Sequence, residues 1–167
     1  SDGQYVNYEL GMRFKSNVVG QIIGIRFYKS SNESGVHTGH IWDSSTQQQL
    51  AQANFISETG SGWQQQYLDS PLSIIPNKEY LVTVNTGNTY YSATNRGFAN
   101  VINNGNLTSI DATSGRYGPV GTYPTQTYQN SNYFRDVIFV GQTTTPAPSP
   151  LTTPTCYPRP VCLDATP

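Results

Sequence analysis

The chain has 167 residues, a formal net charge of -1 and only 11% charged residues. This length supports one well-buried core with an appendage, since domains hold on the order of 100 to 150 residues. The Lys and Arg residues form no cluster that could neutralise a row of phosphates, which excludes the electrostatic footprint of nucleic-acid binding. No run approaches the roughly 20 apolar residues that cross a bilayer, so no membrane span is predicted. The chain starts at Ser1 without an initiator Met, and we interpret it as a mature secreted form that has lost its signal peptide.

Short strands are predicted for the first 140 residues. Ile23, Ile25 and Phe27 alternate along the segment 21–28, which predicts that they share one buried face. The same alternation recurs in 80–84 and 133–140, and no window of helical length carries an apolar stripe at three- and four-residue spacing. Turn residues rich in Gly, Asn, Ser and Pro separate the strands, so we expect an all-β, antiparallel β-sandwich of jelly-roll type over residues 1–141.

Two histidines and two tryptophans in the predicted strand region could serve a site or the core. His37 and His40 point to opposite faces of an extended chain, so we interpret them as polar residues at a hairpin edge rather than as a metal pair. Trp42 and Trp63 could each offer a ring to a sugar. Core packing is the favoured role for both, because a buried indole contributes a large apolar area.

A tyrosine-rich stretch from residue 90 to about 128 is otherwise composed of Asn, Gly, Thr and Ser. Long loops in compact domains are usually functional or disordered, and the tyrosines favour an ordered loop. The predicted contacts for a ligand or a neighbouring subunit are Tyr90, Tyr91, Tyr117, Tyr123 and Tyr128. Asn103, Asn104 and Asn130 could add hydrogen bonds to hydroxyl groups. Ligand binding and subunit packing fit this loop about equally well.

The sequence changes character near Gly141, and residues 142–167 form a separate Pro/Thr-rich tail. Seven of the eleven prolines lie from residue 143 onward, which favours an extended polyproline II conformation. Cys156 and Cys162 are most simply a small disulfide loop at the end of this tail, with free thiols or a metal site as the weaker alternatives. The ligand count weighs against zinc, which needs about four ligands.

Modification sites are predicted in both regions. Asn32-Glu33-Ser34 and Asn106-Leu107-Thr108 are N-glycosylation acceptors in polar, turn-like surroundings, where an ordinary polar turn is the alternative interpretation. In the tail we expect sugars on Thr143, Thr144, Thr145, Ser149, Thr152, Thr153 and Thr155.

Catalysis is not expected. Glycosidases need two carboxyl groups about 5 to 10 Å apart with split pKa values, and none of the ten scattered acids forms an evident pair. No Gly-x-Ser-x-Gly nucleophile elbow occurs. We therefore predict no catalytic residue, no cofactor and no metal ligand. A structural calcium ion, which jelly-roll modules often carry, stays open as an alternative, although no loop of clustered acids identifies a site for it.

Five short motifs carry a resemblance to a known kind of module. The chain resembles an uncharacterised family of secreted jelly-roll modules over about residues 5–140, through its segments 8–14, 24–29, 37–42, 62–64 and 132–139. Members of that family are similar to carbohydrate-binding modules, and the resemblance implies no catalytic residues. The tail resembles the glycomodules of hydroxyproline-rich wall glycoproteins.

These observations predict an extracellular structural protein. We expect a glycosylated filament subunit whose partners are copies of itself, joined head to tail through the C-terminal tail, because something outside that tail must offset its ordering entropy. The alternative is a carbohydrate-binding or adhesive module of a larger secreted protein.

Overall fold

A computed structural model of the protein describes residues 7–87 and 90–142. Within these ranges the fold is all-β, and no helix has the length and hydropathy to cross a membrane. The strands are β1 (Tyr8–Ser16), β2 (Gly20–Lys29), β3 (Thr38–Asp43), β4 (Gln49–Asn54), β5 (Gly62–Ile74), β6 (Tyr80–Asn85), β7 (Asn103–Asn104), β8 (Leu107–Ser109), β9 (Gly115–Pro119) and β10 (Arg135–Gly141).

The strands form two antiparallel sheets. The larger sheet has the order β4-β3-β6-β1-β8-β7, and β9 pairs with the first half of β1 beside β8. The smaller sheet has the order β10-β2-β5. Side chains from both sheets meet in one apolar cluster, which gives a sandwich-like arrangement.

Strand β2 contributes to this core differently from the sequence prediction. Ile25 and Phe27 are fully buried, as the alternation predicts, but the third buried residue is Ile22 and not Ile23. Ile138 and Phe139 of β10, which are consecutive, pair with Gly24 and Ile22 of β2, so a β-bulge absorbs Ile23. A bulge adds one residue to a strand and reverses the faces on either side of it, which no period-two pattern can reveal.

The strand pairing also places the chain's last described residues far from the start of β1. Gly141, at the end of β10, pairs with Gly20, and the Gln142 backbone N–H donates to the Val19 carbonyl at 2.8 Å. Val19 and Gly20 follow closely after Ser16, the last residue of β1. Tyr8 lies at the other end of β1, about 25 Å away at a rise of ~3.3 Å per residue. Thus the last described residues lie at the opposite end of the molecule from Tyr8.

Candidate functional site

Five tyrosines from three parts of the chain surround one pocket at that end of the molecule. We call it the tyrosine pocket; it holds about 230 Å³ and is lined by Tyr8, Leu10, Tyr91, Tyr117, Tyr128 and Tyr133. β1 supplies Tyr8 and Leu10, β9 supplies Tyr117, and the other rings come from the segments on either side of these strands. The larger sheet therefore forms the floor and the tyrosine-rich loop forms the walls.

Edge-to-face contacts hold the rings of this pocket in place. The Tyr8 ring centroid lies 5.7 Å from that of Tyr117 and 6.4 Å from that of Tyr91, with interplanar angles above 80°. Tyr91 in turn lies 6.0 Å from Tyr133. Such T-shaped pairs contribute about 0.5–1.5 kcal/mol each beyond area burial. The pocket is therefore preorganised by its own lining.

The backbone explains why the loop is ordered here. Tyr117 is opposite Leu10 in the β1–β9 ladder, and its N–H and carbonyl are both bonded to Gln126. An isolated bridge between Thr94 and Asn132 ties the start of the loop to its end. These contacts close a long connection whose composition alone predicts little regular structure.

The structure brings together three of the five tyrosines named from the sequence. Tyr91, Tyr117 and Tyr128 line the pocket, whereas Tyr90 is 36% exposed outside the lining. Tyr123 instead packs edge-on against Trp42, with ring centroids 6.1 Å apart. Sequence reasoning missed Tyr8 and Tyr133 because each lies at or near the start of a strand. Only the register of β9 on β1 shows that Tyr8 meets the loop.

The chemistry of this pocket is aromatic and weakly polar. Its lining carries no carboxylate, amine or guanidinium, so it is suited to an uncharged ligand. The rings offer flat apolar faces, and phenol hydroxyls can donate and accept hydrogen bonds. Sugar rings and proline-rich backbones both match that combination.

A buried charge network adjoins the pocket through Tyr133. The Arg135 guanidinium is 1% exposed; it donates to the Tyr133 carbonyl at 2.7 Å and to Glu33 Oε1 at 3.3 Å. Burial lowers the pKa of Arg135, and the Glu33 charge opposes that change. The ion pair therefore anchors the backbone that presents the Tyr133 ring.

The interpretation of His37 as a hairpin-edge residue is wrong. His37 is fully buried, its ring stacks 4.7 Å from Phe27, and its Nδ1 lies 2.9 Å from Glu58 Oε1. Its Nε2 lies 3.5 Å from Glu33 Oε1, and Glu58 also accepts from Lys29 at 2.7 Å. His37 directly precedes β3, and its ring packs between Phe27 of the smaller sheet and Gly87 after β6, which accounts for its burial.

His40 is also buried, on the outer side of the larger sheet and in contact with Glu9, to which the loop after β9 is bonded. It is 7% exposed, and its Nδ1 lies 2.9 Å from Glu9 Oε1 on β1. The Thr83 hydroxyl donates to the same carboxylate, and the Gly121 N–H donates to Glu9 Oε2 at 3.1 Å. This cluster fastens the loop after β9 onto the outer side of the larger sheet. Its role is structural.

The two tryptophans behave differently from each other. Trp42 is buried, at 5% exposure, and its indole N–H donates to the Thr83 hydroxyl at 2.8 Å, in keeping with a core role. The prediction of core packing for Trp63 is wrong, because that side chain is 48% exposed. Trp63 lies on the solvent side of β5, next to the buried Gln64, so strand alternation directs its ring outwards.

The two sequon asparagines are both exposed. Asn32 lies in the turn after β2, and Asn106 lies at the tip of the β7–β8 hairpin. The predicted tail sugars on residues 143–155 and the Cys156–Cys162 pair lie outside the described residues. In the described ranges no three His, Cys, Asp or Glu side chains come together as a metal site.

A protein-family match covers residues 1–135 of the chain. The chain belongs to the family described as a domain of unknown function, DUF4082. No curated protein matches its sequence.

Proposed function

We propose that this protein is a non-catalytic subunit of an extracellular, glycosylated filament, in which the proline-rich tail of one copy occupies the tyrosine pocket of the next. The observation that carries the proposal is the presence, in one chain, of an aromatic pocket at one end of the fold and of a proline-rich sequence that follows the last described strand, which ends at the opposite end. The low charge and the two exposed sequons support an extracellular location.

The chemistry of the two partners is complementary. Aromatic-lined grooves recognise polyproline II segments, because proline rings pack on aromatic faces and the carbonyls of such segments have no internal hydrogen bonds. Pro146-Ala147-Pro148-Ser149-Pro150 has a proline at every second position. Phenol hydroxyls of Tyr117 and Tyr128 could donate to its carbonyls. An extended segment also binds at low entropic cost, since it is already stiff.

The positions of the two ends favour contact between copies over contact within one chain. β10 ends at the end of the molecule opposite Tyr8, and a polyproline II segment as long as residues 143–150 would span about 25 Å at ~3.1 Å per residue, no more than the length of β1. A tail that binds the next copy in the same orientation forms a heterologous contact. Contacts of this kind give open filaments when the rotation between copies does not close a ring.

Truncation at Gly141 tests the proposal. The chain ending at Gly141 should keep its folded core and lose assembly, as judged by near-ultraviolet circular dichroism and electron microscopy. The pocket variant Tyr117→Ala/Tyr128→Ala should also fail to assemble. Tyr67→Ala, which changes an exposed tyrosine of the smaller sheet, serves as the matched control and should assemble normally. Filaments formed by the truncated chain would refute the proposal.

The alternative is a carbohydrate-binding or adhesive module with a jelly-roll-like sandwich, and the aromatic, uncharged lining of the tyrosine pocket favours it. In that case the pocket holds a sugar and the tail links this module to another domain. It predicts retention on a polysaccharide column, loss of retention in Tyr117→Ala/Tyr128→Ala, and a full-length chain that remains monomeric. The two functions are thus separated by the assembly state of the full-length chain and by whether Tyr117→Ala/Tyr128→Ala loses retention.

A further inference from the structure

A second exposed aromatic surface lies on the smaller sheet, away from the tyrosine pocket. Trp63, Gln65 and Tyr67 alternate with buried or half-buried residues along β5, so their side chains share the solvent face of the sheet. Trp63 is 48% and Tyr67 55% exposed. On the neighbouring strand, Tyr28 is 41% exposed and pairs directly with Trp63. We call this surface, with Arg26, the aromatic face.

The aromatic face is held in one geometry by its own contacts. The Arg26 guanidinium stacks 4.5 Å from the centre of the Trp63 ring, and the Tyr28 ring meets Trp63 edge-on at 5.7 Å. Arg26 is fixed in turn by Asp136 on β10, at 2.9 Å. All of these residues lie on paired strands of the three-stranded sheet. A ligand therefore meets rings that need little ordering on binding.

We propose that the aromatic face binds a neutral polysaccharide chain. The apolar C–H faces of two non-adjacent sugar rings of one extended chain would stack on Trp63 and Tyr67, which are separated by about 13 Å along β5 at ~3.3 Å per residue. Gln65, between them, and Arg26, beside them, offer hydrogen-bond donors to ring hydroxyls. Alternating aromatic and amide groups on a flat, rigid surface match an extended, amphipathic ligand. This inference does not depend on the tyrosine pocket.

The charges on this surface select for an uncharged partner. The Arg26 charge is neutralised by Asp136, and the next outward residue of β5 beyond Tyr67 is the exposed Asp69. The described surface therefore carries a small negative excess, which disfavours uronic-acid polysaccharides and phosphate-rich ligands. A hydrophobic protein partner is less well matched. On the solvent face of the β2–β5 pair, the aromatic rings alternate with the amide of Gln65 and the guanidinium of Arg26, so no continuous apolar patch is formed.

Isothermal titration calorimetry of the full-length chain tests this inference. The probes are hydroxyethyl cellulose, xyloglucan and galactomannan as neutral polymers, and polygalacturonate as the anionic polymer. We expect binding to at least one neutral polymer and none to polygalacturonate. Trp63→Ala and Tyr67→Ala should each weaken binding about tenfold, the effect of losing one aromatic contact.

Two control variants, and two further measurements on Trp63→Ala, separate this surface from the rest of the molecule. Trp63→Phe keeps an aromatic ring and should bind within a few-fold of the native chain. Tyr128→Ala changes the tyrosine pocket and should bind polysaccharide normally, while Trp63→Ala should leave filament assembly unchanged. Unchanged thermal unfolding of Trp63→Ala would show that loss of binding is not loss of fold.

Four results would overturn the inference. They are an absence of binding to all three neutral polymers, tighter binding to polygalacturonate, native affinity in both alanine variants, and loss of assembly in Trp63→Ala. The last result would assign the aromatic face to contact between protein subunits. Filament formation by the tail-truncated chain, which refutes the filament proposal, would leave polysaccharide binding untouched, so the two proposals fail separately.

Discussion

Buried ionic side chains position the loops at the pocket end of the molecule. Glu33 and Arg135 have fully buried side chains and lie on segments 102 residues apart in sequence. The pair connects the turn after β2 to the segment that carries Tyr133. Removal of one partner of a buried pair leaves an uncompensated charge, which costs far more than removal of the whole pair.

Glu33→Gln should lower the free energy of unfolding by about 3 kcal/mol, because it leaves the Arg135 charge buried without its carboxylate. The measurement is urea unfolding followed by circular dichroism. The double variant Glu33→Gln/Arg135→Met should recover part of that loss. Glu79→Gln, which removes a half-exposed partner of Arg13, is the matched control and should cost less than about 1 kcal/mol. Equal losses for Glu33→Gln and Glu79→Gln would contradict this account.

Asp43 links stability to pH at the end of β3. The Lys78 ammonium, 2.7 Å away, and the Ser45 hydroxyl hold the pKa of Asp43 well below its usual value of 3.8. A carboxyl group with a depressed folded-state pKa contributes stability above its unfolded pKa. That contribution disappears as the pH falls towards the folded-state value.

Asp43→Asn should therefore destabilise the protein at pH 7 and make no difference in strong acid. We expect a constant gap between the native chain and the variant from pH 7 to about pH 5, of up to about 1 kcal/mol since Lys78 is partly exposed. The gap should narrow below pH 4. Thermal unfolding across this pH range measures it, with the exposed Asp69→Asn as control. A gap that widens on acidification would contradict the assignment.

The β-bulge in strand β2 gives two neighbouring isoleucines different degrees of burial. Ile22 is fully buried in the shared core, whereas Ile23 is only half-buried at the bulge. Ile22→Ala should lower the free energy of unfolding by about 3 kcal/mol, the cost of a core cavity. Ile23→Ala removes the same atoms one position away and should cost less than about 1.5 kcal/mol. Equal costs would mean that the bulge is absent in solution.

Strand alternation explains which elements could be predicted from sequence. The apolar alternation around Ile25 and Phe27 and in 80–84 predicts paired strands without a helix, and the fold has them. The bulge at Ile23 could not be predicted, because an inserted residue leaves no mark on composition. His37 and Trp63 were misjudged because residue type predicts burial only weakly, while strand order and face determine it.

The tyrosine pocket, too, could be predicted only in part from the sequence. Its loop members Tyr91, Tyr117 and Tyr128 are evident in a stretch otherwise poor in apolar residues. Tyr8 and Tyr133 are distant in sequence and reach the pocket through the β1–β9 pairing and the start of β10. Such long-range register depends on the whole sheet. Sequence patterns therefore reveal half of this site and strand pairing supplies the other half.

Attached sugars should appear at both ends of the whole molecule. Asn106 lies near Gly141, where the tail begins, and Asn32 lies in the turn after β2, at the other end of that strand. When the chain is secreted from a host that N-glycosylates, Asn32→Gln and Asn106→Gln should each remove one glycan. Intact mass before and after peptide N-glycosidase treatment measures this. If peptide N-glycosidase treatment leaves the mass of both variants unchanged, neither asparagine carries a glycan and both sites are ordinary polar turns.

In the proposed filament each subunit has two different binding ends, the tyrosine pocket and the tail. A subunit without a tail should then still receive a neighbour's tail, and a subunit without a pocket should still donate its own. The chain ending at Gly141 and the full-length Tyr117→Ala/Tyr128→Ala variant should each be monomeric alone. Mixed together, they should form one capped pair that cannot grow.

The most direct measurement is mass photometry of these two variants, alone and in an equimolar mixture, beside the native chain. We predict monomers for each variant alone, heterodimers for the mixture, and long assemblies for the native chain only. Monomers in the mixture, or filaments from either variant alone, would contradict the claim that the tail of one copy fills the tyrosine pocket of the next.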